Sequence, residues 1–422
     1  MRFVAEGSAR GPKAWRRLAA GLAALAALAL AGCGERTAKD AAGATGPDDG
    51  ATVAVGVLHS LSGTMAISEI AVRDATLLAI DEINAAGGVL GRKIRPVVED
   101  GASDPAIFAQ KAAKLIEQDQ VRTVFGGWTS ASRKAMLPVF ERTGNLLWYP
   151  VQFEGNECSR NIMYSGAQPN QQILPALAWA REQGHRRFFL VGSDYVFPRT
   201  ANLILRRHIE AAGLEVVGEA YVPLGGTDFS GVVSRIRASG ADIVFNTVNG
   251  DSNVALFKQL SGAGLPPTKL PVMSFSIAEQ EAQAMGPAVA AGSYAAWNYF
   301  QSLDTPENAA FIKAYRARHG EKATLSDPMA HGYLNVWAWK AAVEAAGSFE
   351  PDVVRKAAVG IESISSPLGT VRFAANQSLV QPAHVGRLRQ DGQFEILWSS
   401  PGPIMPEPFD PLAFPGQSCN PG

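Results

Sequence analysis

The sequence predicts an α/β fold built on parallel sheets, and three observations carry that prediction. Short apolar runs alternate with amphipathic helical patterns from Thr52 onward. The alternation comes as two successive series, separated near residue 168, which points to two similar lobes. The runs end in hydroxyl, amide or aromatic residues, and open parallel sheets bind ligands outside the carboxyl ends of their strands.

In the first series, Val53 to Leu58 reads as a compact strand ending in the polar turn His59 to Thr64. The helix after it puts Val72, Ala75, Ala79 and Ile83 on one face and stops at Gly87-Gly88. Lys93 to Glu99 is the second strand, and Asp104-Pro105 opens a helix with an N-cap and a proline in its first turn. Val121 to Phe125 is the third strand. A turn from Gly126 to Lys134 leads from it into a helix over 131–143, which Pro138 is expected to kink or shorten. Leu146 to Tyr149 is the fourth. In the second series Arg187 to Val191, Ala241 to Thr247 and Pro271 to Phe275 read as strands, with Gly192 to Pro198, Asn249 to Asn253 and Ser276 to Glu279 at their ends.

Length and composition set the bounds. A chain of 422 residues exceeds one typical core, and 47% hydrophobic with 18% charged residues is ordinary for a globular protein. Residues 1–33 read as an export signal: Arg16-Arg17, the apolar run Leu18 to Leu30, then Ala31-Gly32 before Cys33. The stretch Leu30-Ala31-Gly32-Cys33 resembles the lipobox of bacterial lipoproteins, which makes Cys33 the expected lipidated N-terminus and a membrane the expected anchor. Residues 34–51 read as a flexible tether. Beyond residue 33 the chain has 33 basic against 38 acidic residues and no basic stripe, so nucleic acid is not an expected partner. Cys158 and Cys419 could pair in an oxidising compartment and pin the tail 416–422.

Catalytic chemistry finds little support. The histidines at 59, 185, 208, 319, 331 and 384 lack metal-ligand spacing, and no nucleophile elbow, P-loop or dinucleotide fingerprint occurs. A binding protein without metal or cofactor is the expectation. The turn at Gly126-Gly127-Trp128-Thr129-Ser130 combines close backbone approach, helix N-terminal donors and an aromatic wall. A neutral polar palette recurs at the other strand ends: Ser60, Gln152, Asn249 and Ser276, with Tyr149 and Tyr195. Each has a plain scaffold reading as cap, turn or core-edge ring, and only their shared location favours a site.

The runs Leu58 to Thr64, Phe125 to Lys134, Trp148 to Gly155, Gly192 to Thr200 and Asn249 to Asn253 resemble the urea-binding component of bacterial ABC urea importers. That family belongs to the type 1 periplasmic binding proteins, alongside branched-chain amino-acid binders and a cytoplasmic amide-sensing regulator. The resemblance implies two Rossmann-like lobes joined by three crossovers, with the ligand in the cleft between them. Lobe I would take 52–167 and 298–360, and lobe II 168–297 and 361–415. It implies a pocket of Trp128, Thr129, Ser130, Tyr149, Gln152, Tyr195, Asn249, Asp251 and Ser276, and a monomer that hands urea or a similar short amide to an ABC permease from the periplasm. Ser276 stands where amino-acid binders carry an acidic ammonium reader, although Asp251 or Glu279 could supply a charge. Phe153 and Phe197 replace tyrosines that relatives can carry. The alternatives are a binder of branched-chain or other amino acids and an amide-sensing regulator, which the export signal argues against.

Overall fold

Val53, Val55 and Val57 alternate into a core on one face of the first strand, while Gly56 and Leu58 are buried on the other. A strand buried on both faces belongs in the interior of a parallel sheet, and in the computed structural model, which describes residues 50–419, it lies there. Thr52–His59 (β1) pairs in parallel with Lys93–Asp100 (β2) on one side and Val124–Gly126 (β3) on the other. Leu147–Tyr149 (β4) and Ile162–Tyr164 (β5) complete the sheet in the order β2-β1-β3-β4-β5. The export signal, Cys33 and most of the tether lie outside the described residues, as do 420–422.

The second sheet is parallel through Arg187–Ser193 (β6), Glu215–Val222 (β7), Ile243–Thr247 (β8), Val272–Ser274 (β9) and Tyr294–Trp297 (β10). The chain then leaves this sheet. Helices Pro306–His319, Asp327–Ala346 and Pro351–Gly360 place Phe311, Leu334, Trp339 and Val354 in the core of the first sheet. A ribbon of Ile364–Ser366 (β11), Gly369–Phe373 (β12) and Leu379–Val380 (β13) follows. His384–Leu388 (β14) and Phe394–Ser399 (β15) return to the second sheet as an antiparallel edge, giving the order β15-β14-β10-β9-β8-β6-β7. One expected boundary is thereby corrected. Residues 361–380 do not pack with the second sheet, because Ile364, Val371, Phe373 and Leu379 bury their side chains in the first core.

The three passages between the sheets are laced together by buried polar groups. Gln381 Nε2 donates to Ser165 O (3.0 Å) and its Oε1 meets His331 Nε2 at 2.7 Å. Asp327 accepts from the backbone N–H of Asn298 and Tyr299, both at 2.9 Å. Pro138 departs from expectation. Helix Ser130–Thr143 runs through it unbroken, and the exposure of Pro138 lets water reach the carbonyl that its ring deprives of a donor. Cys158 and Cys419 are bonded, with Cα atoms 5.7 Å apart. The tail spans both sheets: Asn156 N donates to Pro408 O (2.6 Å), Asp410 pairs with His208 (2.7 Å), and Phe414 packs on the second sheet's core. Among the described residues no helix is long and apolar enough to cross a membrane.

Candidate ligand-binding site

The carboxyl ends of β1, β3 and β4 lie side by side, so their loops share one edge of the first sheet. Gly126 has φ +147°, and a Cβ there would stand 1.9 Å from Leu58 O. Only glycine lets the turn lie against β1, where Gly127 N donates to Leu58 O at 2.9 Å. Thr129 is the N-cap of helix Ser130–Thr143, accepting from Ser132 N at 3.1 Å. Trp128 is 4% exposed, and its indole N–H is buried without a protein acceptor. Such an orphan costs about 1–3 kcal/mol unless a ligand or water meets it.

The second sheet faces this edge across direct contacts. Gln152 Nε2 donates to Phe275 O at 2.7 Å, Thr64 hydroxyl donates to Asp251, and Ser68 hydroxyl donates to Glu281. Tyr195, half-buried, completes the enclosure. Burial pushes its phenol well above the ordinary value, with Tyr149 and Glu154 adding to the effect and Arg133 opposing it. Tyr149 ends β4, Glu154 follows in the loop after it, and Arg133 lies in helix Ser130–Thr143, all in the first lobe.

The nine expected residues therefore share one region, but their polar groups are not equally free. Trp128 Nε1 and Gln152 Oε1 have no protein partner. Tyr149 hydroxyl donates to Trp128 O, Ser276 hydroxyl donates to Val248 O, and Asn249 Nδ2 donates to Thr247 O at 3.1 Å. Asp251 is taken by Thr64. The hydroxyls of Thr129 and Ser130, expected to address the ligand, are engaged: Thr129 caps its helix, and Ser130 donates to Glu154 while accepting from Arg133 Nη1 at 3.0 Å. The cap reading holds for Thr129, and Ser130 belongs to an ion cluster.

That cluster and Glu69 are what residue-by-residue reading missed. Arg133, fully buried, reaches Glu157 at 2.7 Å and Glu154 at 3.2 Å, and its guanidinium lies 4.5 Å from the Phe153 ring centroid and 4.9 Å from that of Tyr149. Burial alone would pull its pKa down; the two carboxylates more than offset that and raise it. Glu157 answers in kind: burial would raise its pKa, but Arg133 and Lys134 hold it at about 2. The available signal was Arg133 on the buried stripe with Met136 and Phe140, and two glutamates, Glu154 and Glu157, in the loop after β4. Glu69 is fully buried in the first turn of helix Ala66–Ala85. Its Oε2 accepts from Ser60 N at 2.8 Å and lies 3.3 Å from His59 Nδ1, while its Oε1 has no protein partner. The cleft thus carries a carboxylate besides Asp251 and Glu279, the acidic residues that the sequence offered. Glu279, considered as a possible charge for the ligand, accepts from Gln301 N at 2.8 Å; burial first, then Asp327 and Glu281, push its pKa up to about 8.

Two facing α/β sheets, three passages between them and a polar cleft at the strand ends define the type 1 periplasmic binding fold, a class that encloses small solutes. The chain belongs to the periplasmic binding protein family: the family described as "periplasmic binding protein domain" matches residues 53–413. It is 27% identical over 376 residues to the Leu/Ile/Val-binding protein homolog 8 of Brucella abortus, covering 82% of this chain and 91% of that one. Among solved structures it matches a solute binding protein of an ABC transporter from R. palustris in complex with benzoate. The TM-score is 0.75 at 20% identity, covering 86% of this chain and 99% of that one. It also matches the branched-chain amino acid transporter substrate binding protein LivJ from Streptococcus pneumoniae in complex with isoleucine. There the TM-score is 0.73 at 21% identity, with 84% and 100% covered. Membership of the family implies an extracytoplasmic location.

Proposed function

We propose that this protein is the solute-binding component of an ABC importer, and that it captures urea or a similar short amide by closing two lobes over it. The observation that carries the ligand reading is that the polar groups without a protein partner around the cleft include two acceptors, Glu69 Oε1 and Gln152 Oε1, and one donor, Trp128 Nε1. Urea offers N–H groups on both sides of a single carbonyl, so it could satisfy both acceptors and the indole together. With four heavy atoms and a ceiling of about −1.5 kcal/mol per atom, its affinity is limited to about −6 kcal/mol, a Kd on the order of tens of micromolar. Little of that can be lost to an unpaired group. All three groups lie on the first lobe, so the closed state that a permease would recognise is favoured where the second lobe packs over the captured solute.

A second reading has its own support. The relatives' names point to branched-chain amino acids, and the Glu69 carboxylate would suit an ammonium as well as an amide. Calorimetric titration of the purified protein with urea, acetamide, formamide, leucine and benzoate separates the two. The amide reading expects heat with urea or an amide, and a loss of at least about tenfold in affinity for Glu69→Gln, the cost of one charge-assisted hydrogen bond. Heat with leucine and none with urea or amides would replace it with the amino-acid reading.

A further inference from the structure

The loop after β9 passes directly from the cleft into helix Glu279–Met285, and the first three residues of that helix each bond to a group outside the second sheet. Glu281, 2% exposed, accepts from the hydroxyl of Ser68 in helix Ala66–Ala85, while its Oε2 accepts from Ala278 N at 3.0 Å. Gln280 Nε2 donates to Thr324 O and lies 3.2 Å from Met329 Sδ, in the first core. Glu279 is held by Gln301 N in the passage between the sheets. Behind this turn, Ala282 and Met285 anchor the helix in the second sheet's core. Ser68 adjoins Glu69, so the group offered to the ligand and the group that meets Glu281 lie on one helical turn.

We propose that Glu281 and Ser68 form a closure latch, in which Glu281 acts as a positioning residue that never touches the ligand and couples capture to uptake of a proton. The inference rests on capture by lobe closure and not on which solute is captured. Its physical basis is that opening the lobes returns the Glu281 carboxyl to water, whereas closing buries it against a hydroxyl and a backbone N–H without a cation. Burial raises the Glu281 pKa, partly offset by the bonds from Ser68 and Ala278. Around the neighbouring Glu279, Asp327 and Glu281 are acidic, and Tyr299 is a phenol pushed up by burial and by the charges of Glu279 and Asp327, with Arg316 opposing them; Glu281 itself is met by Ser68 and Ala278 alone. His331 is paired with Asp327, its Nδ1 lying 3.1 Å from the carboxyl. The sign follows. A carboxyl with a higher pKa when closed than when open binds its proton on closing, so closure is favoured at low pH and weakens as pH rises through the closed-state value.

The test measures urea affinity by calorimetry and the radius of gyration by small-angle scattering, from pH 5 to 9, on wild type, Glu281→Gln and Ser68→Ala. Glutamine keeps an acceptor for Ser68 but carries no titrating proton. The expected result is a wild-type affinity that falls with rising pH by up to about tenfold per pH unit, the limit for one proton. Expansion of the molecule should accompany it. Glu281→Gln should remove the part of both profiles that Glu281 supplies, leaving the contribution of Glu279, and Ser68→Ala should weaken binding at all pH values. Identical pH profiles for wild type and Glu281→Gln overturn the latch, as does a Ser68→Ala variant with wild-type affinity and dimensions. If urea gives no heat at any pH, the amide reading fails while the scattering profiles still decide the latch.

Discussion

Glu157→Gln removes one charge from the buried cluster beneath the cleft. Its side chain is 6% exposed, and Arg133 and Lys134 hold its pKa at about 2 against a burial effect that would raise it. From the ordinary carboxylate value to about 2, at about 1.4 kcal/mol per pH unit, the ionised form contributes about 3 kcal/mol to stability at neutral pH. That is close to the cost of breaking a buried pair, about 3–5 kcal/mol. Because the folded-state value is depressed, the contribution is present above the unfolded value and is lost as pH falls toward 2. Guanidinium chloride denaturation at pH 7 and pH 3 is the assay, since urea is the proposed ligand and would stabilise what it denatures. The variant should lose about 3 kcal/mol at pH 7 and roughly half of that at pH 3. A loss below about 1 kcal/mol at pH 7, or one independent of pH, would refute the reasoning, because it would mean that Arg133 is satisfied without Glu157.

Gly126→Ala forces a Cβ to within 1.9 Å of Leu58 O at φ +147°, and should cost at least about 2 kcal/mol by thermal melting; an unchanged melting temperature would show that the turn does not lie against β1. Replacing Cys158 and Cys419 by serine opens a bridge across a separation of 261 residues and should cost about 2–4 kcal/mol. A reductant should bring the wild type to the same melting point, and equal melting of all forms would mean the bond does not form.

The two series of strands and their polar ends were legible because each strand is a short, self-contained apolar run, and the run Asp104-Pro105 announces its own cap: Asp104 accepts from Ala106 N and Ile107 N. The ribbon over 364–380 was not. Its strands are 2–5 residues long, and which core receives Val371 and Phe373 depends on where the chain goes after leaving β10. The truncation Tyr149→Ala illustrates the same limit at the site. From sequence it reads as a clean binding test, but Tyr149 is fully buried beneath Arg133, so the truncation would open a core cavity costing about 3–5 kcal/mol.

The sequence by itself determined the α/β class, the strand ends that carry polar groups, and the glycine turn that sets Trp128 beside a helix start. Those are local properties, written in periodicity, capping and backbone freedom. Only the tertiary structure decided which polar groups are spent and which are free. Ser130 is consumed by Glu154 and Arg133, whereas Glu69, which local pattern did not mark, keeps an oxygen without a partner. A hydrogen bond's partner lies as far away as the chain happens to fold, so its occupancy cannot be read from the residue that makes it.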